Sequence, residues 1–512
     1  MPRPWRGAIL VAVRPLLARS LRITAIPVAV LFLASCSYGP FSVQTRDLPV
    51  STARTPDDPL YADYQWYLDT VAVPDAWGLY AALADDPVAG VDVRTVPVAV
   101  IDSGIDGQHE DLRAMIGTGG LDLIGPTPTP IPNGLPPDTY GIDHGTHVSG
   151  LVAAAGFNGV GISGVAFSGD GRAAASIVPV RALEGTDGTL RDLIAALLYV
   201  GGVAPARATP VARVVNMSLG ANQLPDAEAL LVEAVVQEVA ARDVLLIAAA
   251  GNGGAANGVD WPARLSEVIA VGSVDRAANP AASTRSYFSD YGPQVELTAP
   301  GAETSGPGTG DTVGIVSTWP GQRYALDAGT SMATPIVAGV AALVWSSNPH
   351  LSAQEVRGIL QATAVDLGPA GRDDEYGFGL VDAEAAIRRA ATNPYGRFES
   401  SAAPVPAPSL STAPDSAAVE RALEQFSYDY VDRPRLLVWL RAGTDVGRFL
   451  GELSSLLPAE AARNLGPVAG GALITVDPSA GGDAATVVAR LTGDPRVRGI
   501  AEDRRVFSVD GF

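Results

Sequence analysis

Five residues in this 512-residue chain have types and spacing that could do chemistry together. Asp102 ends the apolar run VAVID. His144 begins HGTHVSG. Ser218 closes VVNMSLG, Asn252 closes AAAGN, and Ser331 sits in DAGTSMATP. A serine hydroxyl is a weak nucleophile until a base takes its proton, and imidazole has the right basicity for that task. A carboxylate can hold the imidazole in one tautomer and stabilise the imidazolium. A tetrahedral oxyanion needs preorganised donors, such as a side-chain amide and a backbone N–H. Each residue also has an ordinary reading. Ser331 suits a helix cap, Asp102 and Asn252 suit turns, and His144 suits the start of a helix.

Composition narrows the chemistry. All 35 basic residues are arginine. That removes a Ser–Lys dyad, Schiff-base chemistry and a phosphate-loop lysine. Cys36 is the only cysteine, which excludes intrachain disulfides, Cys-based zinc sites and a catalytic thiol in the main body. The histidines are His109, His144, His147 and His350. His144 and His147 form an H-x-x-H pair, but no third ligand accompanies it, so His147 is expected to pack inside a helix. His109 and His350 are expected at the surface. A net charge of −20 argues against nucleic acid as a partner.

The positioning elements are short, β-branched runs alternating with helical ones. Strands are predicted at 96–102, 175–183, 212–220, 243–252, 268–274 and 295–301. Helices are predicted near 145–156, 188–201, 226–241, 331–347, 352–363 and 382–391. Runs apolar on both faces point to an α/β domain, a doubly wound and mainly parallel sheet with right-handed crossovers. Asp102, Ser218 and Asn252 then fall at the carboxyl ends of strands, where open parallel sheets build their sites. A Pro/Ala/Ser-rich linker follows at 396–418. Residues 419–512 read as strand, helix, strand, helix and a final strand, VRGIAEDRRVFSV, which is a small α+β domain.

The N-terminus carries five arginines ahead of ITAIPVAVLFLASC. The apolar run is too short to span a bilayer comfortably and suits an export signal. Leu33-Ala34-Ser35-Cys36 resembles a bacterial lipoprotein signal, which would leave Cys36 as a lipidated N-terminus after residues 1–36 are processed. An ordinary secretory signal with a chance cysteine is the alternative. Ser37 leans the resemblance towards the outer membrane or cell surface.

The motifs VAVIDSGIDGQHEDL, HGTHVSG, VVNMSLG, AAAGN and GTSMATP, in that order, resemble those of the subtilisin-like serine proteases (the subtilases). The resemblance covers roughly residues 57–395, with 37–56 as a linker ahead of them. It implies a serine endopeptidase acting on proteins or peptides through an acyl-enzyme. Asp102 would orient, His144 would act as base, Ser331 would attack, and Asn252 with the Ser331 N–H would hold the oxyanion. Ser218, Leu219 and Gly220 would pair with extended substrate, and Ala249 and Gly251 would line the pocket for the residue before the cut. GFNGVGISGVA resembles the family's calcium loop. Asp111, the Asn158 side chain and the Val160 and Ile162 carbonyls would be ligands, with Gln65 a possible addition. A metal-free glycine loop is the alternative, because this loop departs from the family pattern by about one inserted residue. Catalysis itself implies no cofactor. GVGISG also fits G-x-G-x-x-G, but it follows a helical run rather than a strand. GTSMA does not fit G-x-S-x-G.

Members of this family usually carry a prodomain between signal and catalytic domain. Only some 20 residues separate Cys36 from residue 57 here. The C-terminal unit resembles that prodomain's small ferredoxin-like fold, which implies action on the protease in cis; an unrelated accessory domain is the alternative. An inactive peptide-binding homologue and a dedicated processing enzyme are the rival functions.

Overall fold

A computed structural model describes residues 48, 52–85, 94–124, 128–137, 139–168, 172–203, 209–256, 258–304, 312–392, 436–458, 462–468, 471–476, 484–502 and 505–508. Cys36, the leader and the 396–418 linker lie outside the described residues. The central strands are β1 (Val96–Asp102), β2 (Ala175–Arg181), β4 (Val214–Met217), β6 (Leu245–Ala249), β7 (Val268–Asp275) and β8 (Val295–Thr304); β3 (Asp187–Thr189) and β5 (Leu219–Gly220) lie apart from them. In space they run β8-β7-β6-β4-β1-β2, all parallel, with short strands at both edges. The chain builds outward from β1 to β2, then returns to β1's other flank for β4. Strand order therefore reverses at β1/β4, and a crevice must open there at the carboxyl ends.

The expected strands and helices form where the patterns place them, with two adjustments. The 212–220 run breaks at Ser218 into β4 and β5. A helix absent from the sequence reading, α1 (Val73–Asp85), covers the core with Trp77, Leu79 and Tyr80 fully buried. Helices α2 (Asp143–Ala153), α3 (Leu190–Val200), α4 (Asp226–Ala240), α5 (Thr330–Ser347), α6 (Ala353–Thr363) and α7 (Ala383–Ala391) follow. α3 and α4 share one hydrophobic core with one face of the sheet, while α1, α2 and α5 share the core on the other.

The C-terminal unit holds β9 (Leu436–Leu440), α8 (Val446–Leu453), β10 (Ala462–Val468), β11 (Gly471–Val476), α9 (Ala484–Thr492) and β12 (Val497–Glu502). The sheet order β10-β11-β9-β12 is wholly antiparallel. This is a ferredoxin-like βαββαβ arrangement. The sequence reading lacked β10 and treated VRGIAEDRRVFSV as one strand. That run is two: after β12 the chain leaves this sheet, and β13 (Arg505–Ser508) joins another. Alternation along the strands divides the unit's apolar residues between two cores. Leu436, Val438, Leu440, Ile474 and Val476 pack with Phe449 and Leu491 of its own helices. Leu437, Trp439, Leu465 and Leu473 join the core of α3 and α4.

Gly339 of α5 packs tightly against Val165 and the Val152 carbonyl of α2. A β-carbon there would lie 2.7 Å from Val165 Cβ and 3.2 Å from Val152 O. Alanine normally stabilises a helix interior by about 1 kcal/mol over glycine, whereas overpacking costs roughly 1–3 kcal/mol. Gly339→Ala is therefore expected to lower the melting temperature by a few degrees in calorimetry. A higher melting temperature would contradict this contact.

Candidate active site

Asp102 is the last residue of β1 and fully buried. Its Oδ1 accepts the Ser103 N–H at 2.7 Å and faces His144 Nδ1 at 2.9 Å; Oδ2 is 3.0 Å from the same nitrogen. The imidazole therefore presents Nε2 on its opposite side. His144 is the second residue of α2, and that helix is pinned from several sides. The Gly145 N–H donates to Ser103 Oγ at 2.9 Å, Thr318 Oγ1 donates to Thr146 O at 2.8 Å, and Ser317 Oγ donates to His147 O at 2.7 Å. A β-carbon on Gly145 would sit 2.2 Å from Gly104 O, so only glycine lets α2 approach β1 this closely.

Ser331 is the second residue of α5. Four residues on, Pro335 lacks the N–H that would normally bond the Ser331 carbonyl. The Ser218 hydroxyl replaces it, donating to Ser331 O at 2.8 Å while accepting from Asn216 Nδ2 at 3.0 Å. Ser331 Oγ lies 3.4 Å from Ser218 O. Asn252 follows β6, and its Oδ1 accepts from both Thr330 N–H and Thr330 Oγ1 at 2.9 Å. With Oδ1 committed to the start of α5, Nδ2 is the end able to donate to a developing negative charge. The fold thus brings Asp102, His144, Ser218, Asn252 and Ser331 to the β1/β4 crevice.

Leu219 and Gly220 offer a backbone edge, and β13 pairs with it. Leu219 is opposite Ser508 and Gly220 opposite Phe507, antiparallel. The other edge of β13 pairs with β3, Val506 opposite Gly188. β13 is therefore the middle strand between β3 and β5, and it runs towards Ser218. Ala249 ends β6, and Gly251 follows with φ +116°, a conformation that requires glycine.

His147 packs inside α2 as expected. Its Nε2 faces Ile315 O at 3.0 Å and Ala325 O at 3.2 Å, and burial, with the nearby His144, holds its pKa down to about 3. His350 is exposed. His109 is not at the surface. It is fully buried, with Nε2 3.0 Å from Arg323 O and its ring edge-on to Tyr324, because the Arg323–Asp327 strand folds over it.

Asp111, Asn158, Val160 and Ile162 also come together. Asp111 accepts from Asn158 Nδ2 at 3.1 Å, the Ile162 N–H at 3.1 Å and the Tyr324 hydroxyl at 2.9 Å. Asn158 Oδ1 accepts the Val160 N–H at 2.8 Å. Gln65 Oε1 is engaged by the Ser163 N–H at 2.9 Å. Among the described residues, no group of three or more His, Cys, Asp or Glu is placed to hold a metal. The loop's own oxygens suit a hard cation in type, and turning the Asn158 amide would present Oδ1 beside Asp111.

Sequence reasoning missed three acids near the crevice. Asp327 is raised by burial and lowered again by His144, so it lies within the field of that imidazole. Asp260 and Asp290 lie beside Gly251. Asp327 opens the DAGTSMATP stretch, while Asp260 and Asp290 stand in no motif, and only the chain's path brings them here.

A buried carboxylate–imidazole pair and a serine at a helix N-terminus, on elements at the carboxyl ends of a doubly wound sheet, are the groups a serine hydrolase needs. Comparison with known proteins is specific about the class. Residues 94–379 match the subtilase family, peptidase S8, and the chain belongs to that family of serine endopeptidases. It is 37% identical over 332 residues to M-protease of Shouchella clausii (strain KSM-K16), covering 64% of this chain and 74% of that one. It is 37% identical over 316 residues to Subtilisin Savinase of Lederbergia lenta, covering 61% of this chain and 98% of that one. A solved protease structure from Pseudoalteromonas arctica PAMC 21717 superposes with a TM-score of 0.53 at 28% identity, covering 66% of this chain and 99% of that one.

Proposed function

We propose that this endopeptidase is exported, held at a membrane through lipidated Cys36, and cleaves protein substrates with Asp102, His144 and Ser331. The observation that carries the catalytic reading is the contact of Asp102 with His144 Nδ1 at 2.9 and 3.0 Å; Ser218 holds Ser331 at the start of α5. His144 takes the Ser331 proton as Oγ attacks the scissile carbonyl, and Asp102 stabilises the imidazolium. Asn252 Nδ2 and the Ser331 N–H receive the oxyanion, and the α5 N-terminus favours that charge. His144 then passes the proton to the leaving amine, and water repeats the sequence on the acyl-enzyme. Substrate lies along Ser218–Gly220 with its side chain before the cut between those residues and Ala249–Gly251. The leader's charge and apolar run support export, and Leu33–Cys36 supports lipidation.

The C-terminal unit, in this reading, acts on the protease in cis. β13 occupies the strand position that an extended substrate would need, between β3 and β5. A binding protein without turnover would use the same edge, and the experiments separate the two. A calcium ion is proposed for the Asp111 loop, where its positive charge would offset the burial that raises the Asp111 carboxyl and Asn158 lies within reach.

Asn252→Ala is expected to lower casein turnover by about 10²–10³-fold, and Ser331→Ala to abolish it. Full turnover in Ser331→Ala would end the serine mechanism, and an effect under threefold would remove Asn252 from it. Val506→Pro with Phe507→Pro strips a backbone donor from each side of β13. This full-length variant should cleave casein at least tenfold faster than wild type; an unchanged rate means that β13 does not compete with substrate. Calcium should raise the melting temperature by several degrees, and Asn158→Ala should remove that rise. A wild-type melting curve indifferent to calcium would exclude the ion.

A further inference from the structure

An acid lies between the two segments proposed to wall the pocket for the residue before the cut. Residues 260 and 261 join its two walls. The Asp260 N–H donates to Ala250 O at 2.9 Å, while Trp261 and Ala221 exchange backbone bonds at 2.9 and 3.0 Å. The Asp260 side chain points between the walls. A β-carbon on Gly220 would lie 3.0 Å from Asp260 Oδ2, and one on Gly251 would lie 3.0 Å from the same oxygen and 2.3 Å from Asp290 Oδ2. Two glycines thus open onto two carboxylates.

The carboxylates differ in how they are satisfied. Asp290 accepts the Gly253 N–H at 3.2 Å and the Ala255 N–H at 2.7 Å. Asp260 is 5% exposed, and its buried Oδ1 has no hydrogen-bond partner. A buried charge oxygen without a donor is costly, so such an atom marks a place awaiting one. Two arginines lie nearby, and the buried Nε of Arg264 has no hydrogen-bond partner. Arg264 lies over the Trp261 ring, and Arg285 donates to Ser286 O and Ser289 O and stacks on Tyr291. Among the described residues, no ion pair joins Asp260 or Asp290 to an arginine. Burial, with Asp290 beside it, raises Asp260 to about 7, and Arg264 opposes that rise.

We propose that Asp260, backed by Asp290, makes this a pocket for a cationic side chain, so that the enzyme cuts after arginine or lysine. The proposal rests on the substrate-strand reading above. A guanidinium entering between Gly220 and Gly251 would meet Asp260 Oδ2, the oxygen that faces both glycines, and offset two acids at once, in the planar, two-pronged geometry that suits carboxylate.

The test uses the full-length Val506→Pro/Phe507→Pro chain with fluorogenic peptides that differ only in the residue before the cut. At pH 8, kcat/KM for arginine is expected to exceed that for phenylalanine at least tenfold. Asp260→Asn in that background should lower arginine cleavage at least tenfold and raise phenylalanine cleavage. The arginine-to-phenylalanine ratio should fall as pH drops through about 7, because the free pocket's Asp260 then takes a proton; His144 titration affects both peptides and cancels in the ratio. Anisotropy titration of the same peptides onto the Ser331→Ala form of that chain reads the pocket without turnover. Equal or reversed preference in both assays overturns the proposal, as does binding of neither peptide. Tighter arginine binding, lost in Asp260→Asn, with no cleavage of any peptide, keeps the pocket and sinks the protease mechanism instead.

Discussion

Every residue of α5, Thr330 to Ser347, is buried, and the structure around it is the consequence. A helix without a solvent-facing side has no polar stripe, so each polar group on it needs a protein partner. Those partners are present. Ser218 takes the Ser331 carbonyl that Pro335 leaves over, and Asn252 takes the Thr330 N–H. Thr334 Oγ1 returns to Thr330 O, Tyr80 meets Ser346, and Trp345 Nε1 donates to Leu351 O. The bonds that make burial of this helix tolerable are also those that fix its first turn. Ser218 and Asn252 therefore both hold the first turn of α5, and a serine at its second position has little freedom to wander. Preorganisation of this kind is where most catalytic benefit arises, since donors already in place need no rearrangement as charge develops.

The same economy shapes α2. Its clamps at Gly145, Thr146 and His147 hold the helix against β1 and against the Ile315–Trp319 strand, and the Asp102–His144 distance follows from them. His147 illustrates the division of labour: three residues from His144, it turns inward to two backbone carbonyls and is kept neutral by burial. One imidazole is a packing element and the other meets a carboxylate, because only one lies over the end of β1.

The C-terminal unit contributes a sheet with two working faces. One face makes its own small core and the other extends the core of α3 and α4, so Trp439 and Leu473 are buried only because the larger domain is there. This docking sets where β12 ends, and β13 reaches the gap between β3 and β5 from that point. Beside the same crevice, burial raises Asp260, Asp290 and Asp327 above the usual carboxylate range. These carboxyl groups hold their protons more tightly than exposed ones because the fold withholds water from them.

The sequence by itself determined the α/β class, the placement of most central strands and helices, and the five motif residues that meet at the crevice. Periodicity and strand-end polar residues are local signals, and they survive without knowledge of contacts. Only the tertiary structure decided the rest. It split 497–509 into β12 and β13, because a strand's partner, not its composition, says which sheet it joins. It buried His109 under the Arg323–Asp327 strand, more than 200 residues away in the chain. It set Asp260 against Gly220 and Gly251, three residues from separate segments with no shared motif. Such juxtapositions come from long-range packing, and a chain read one window at a time carries no record of them.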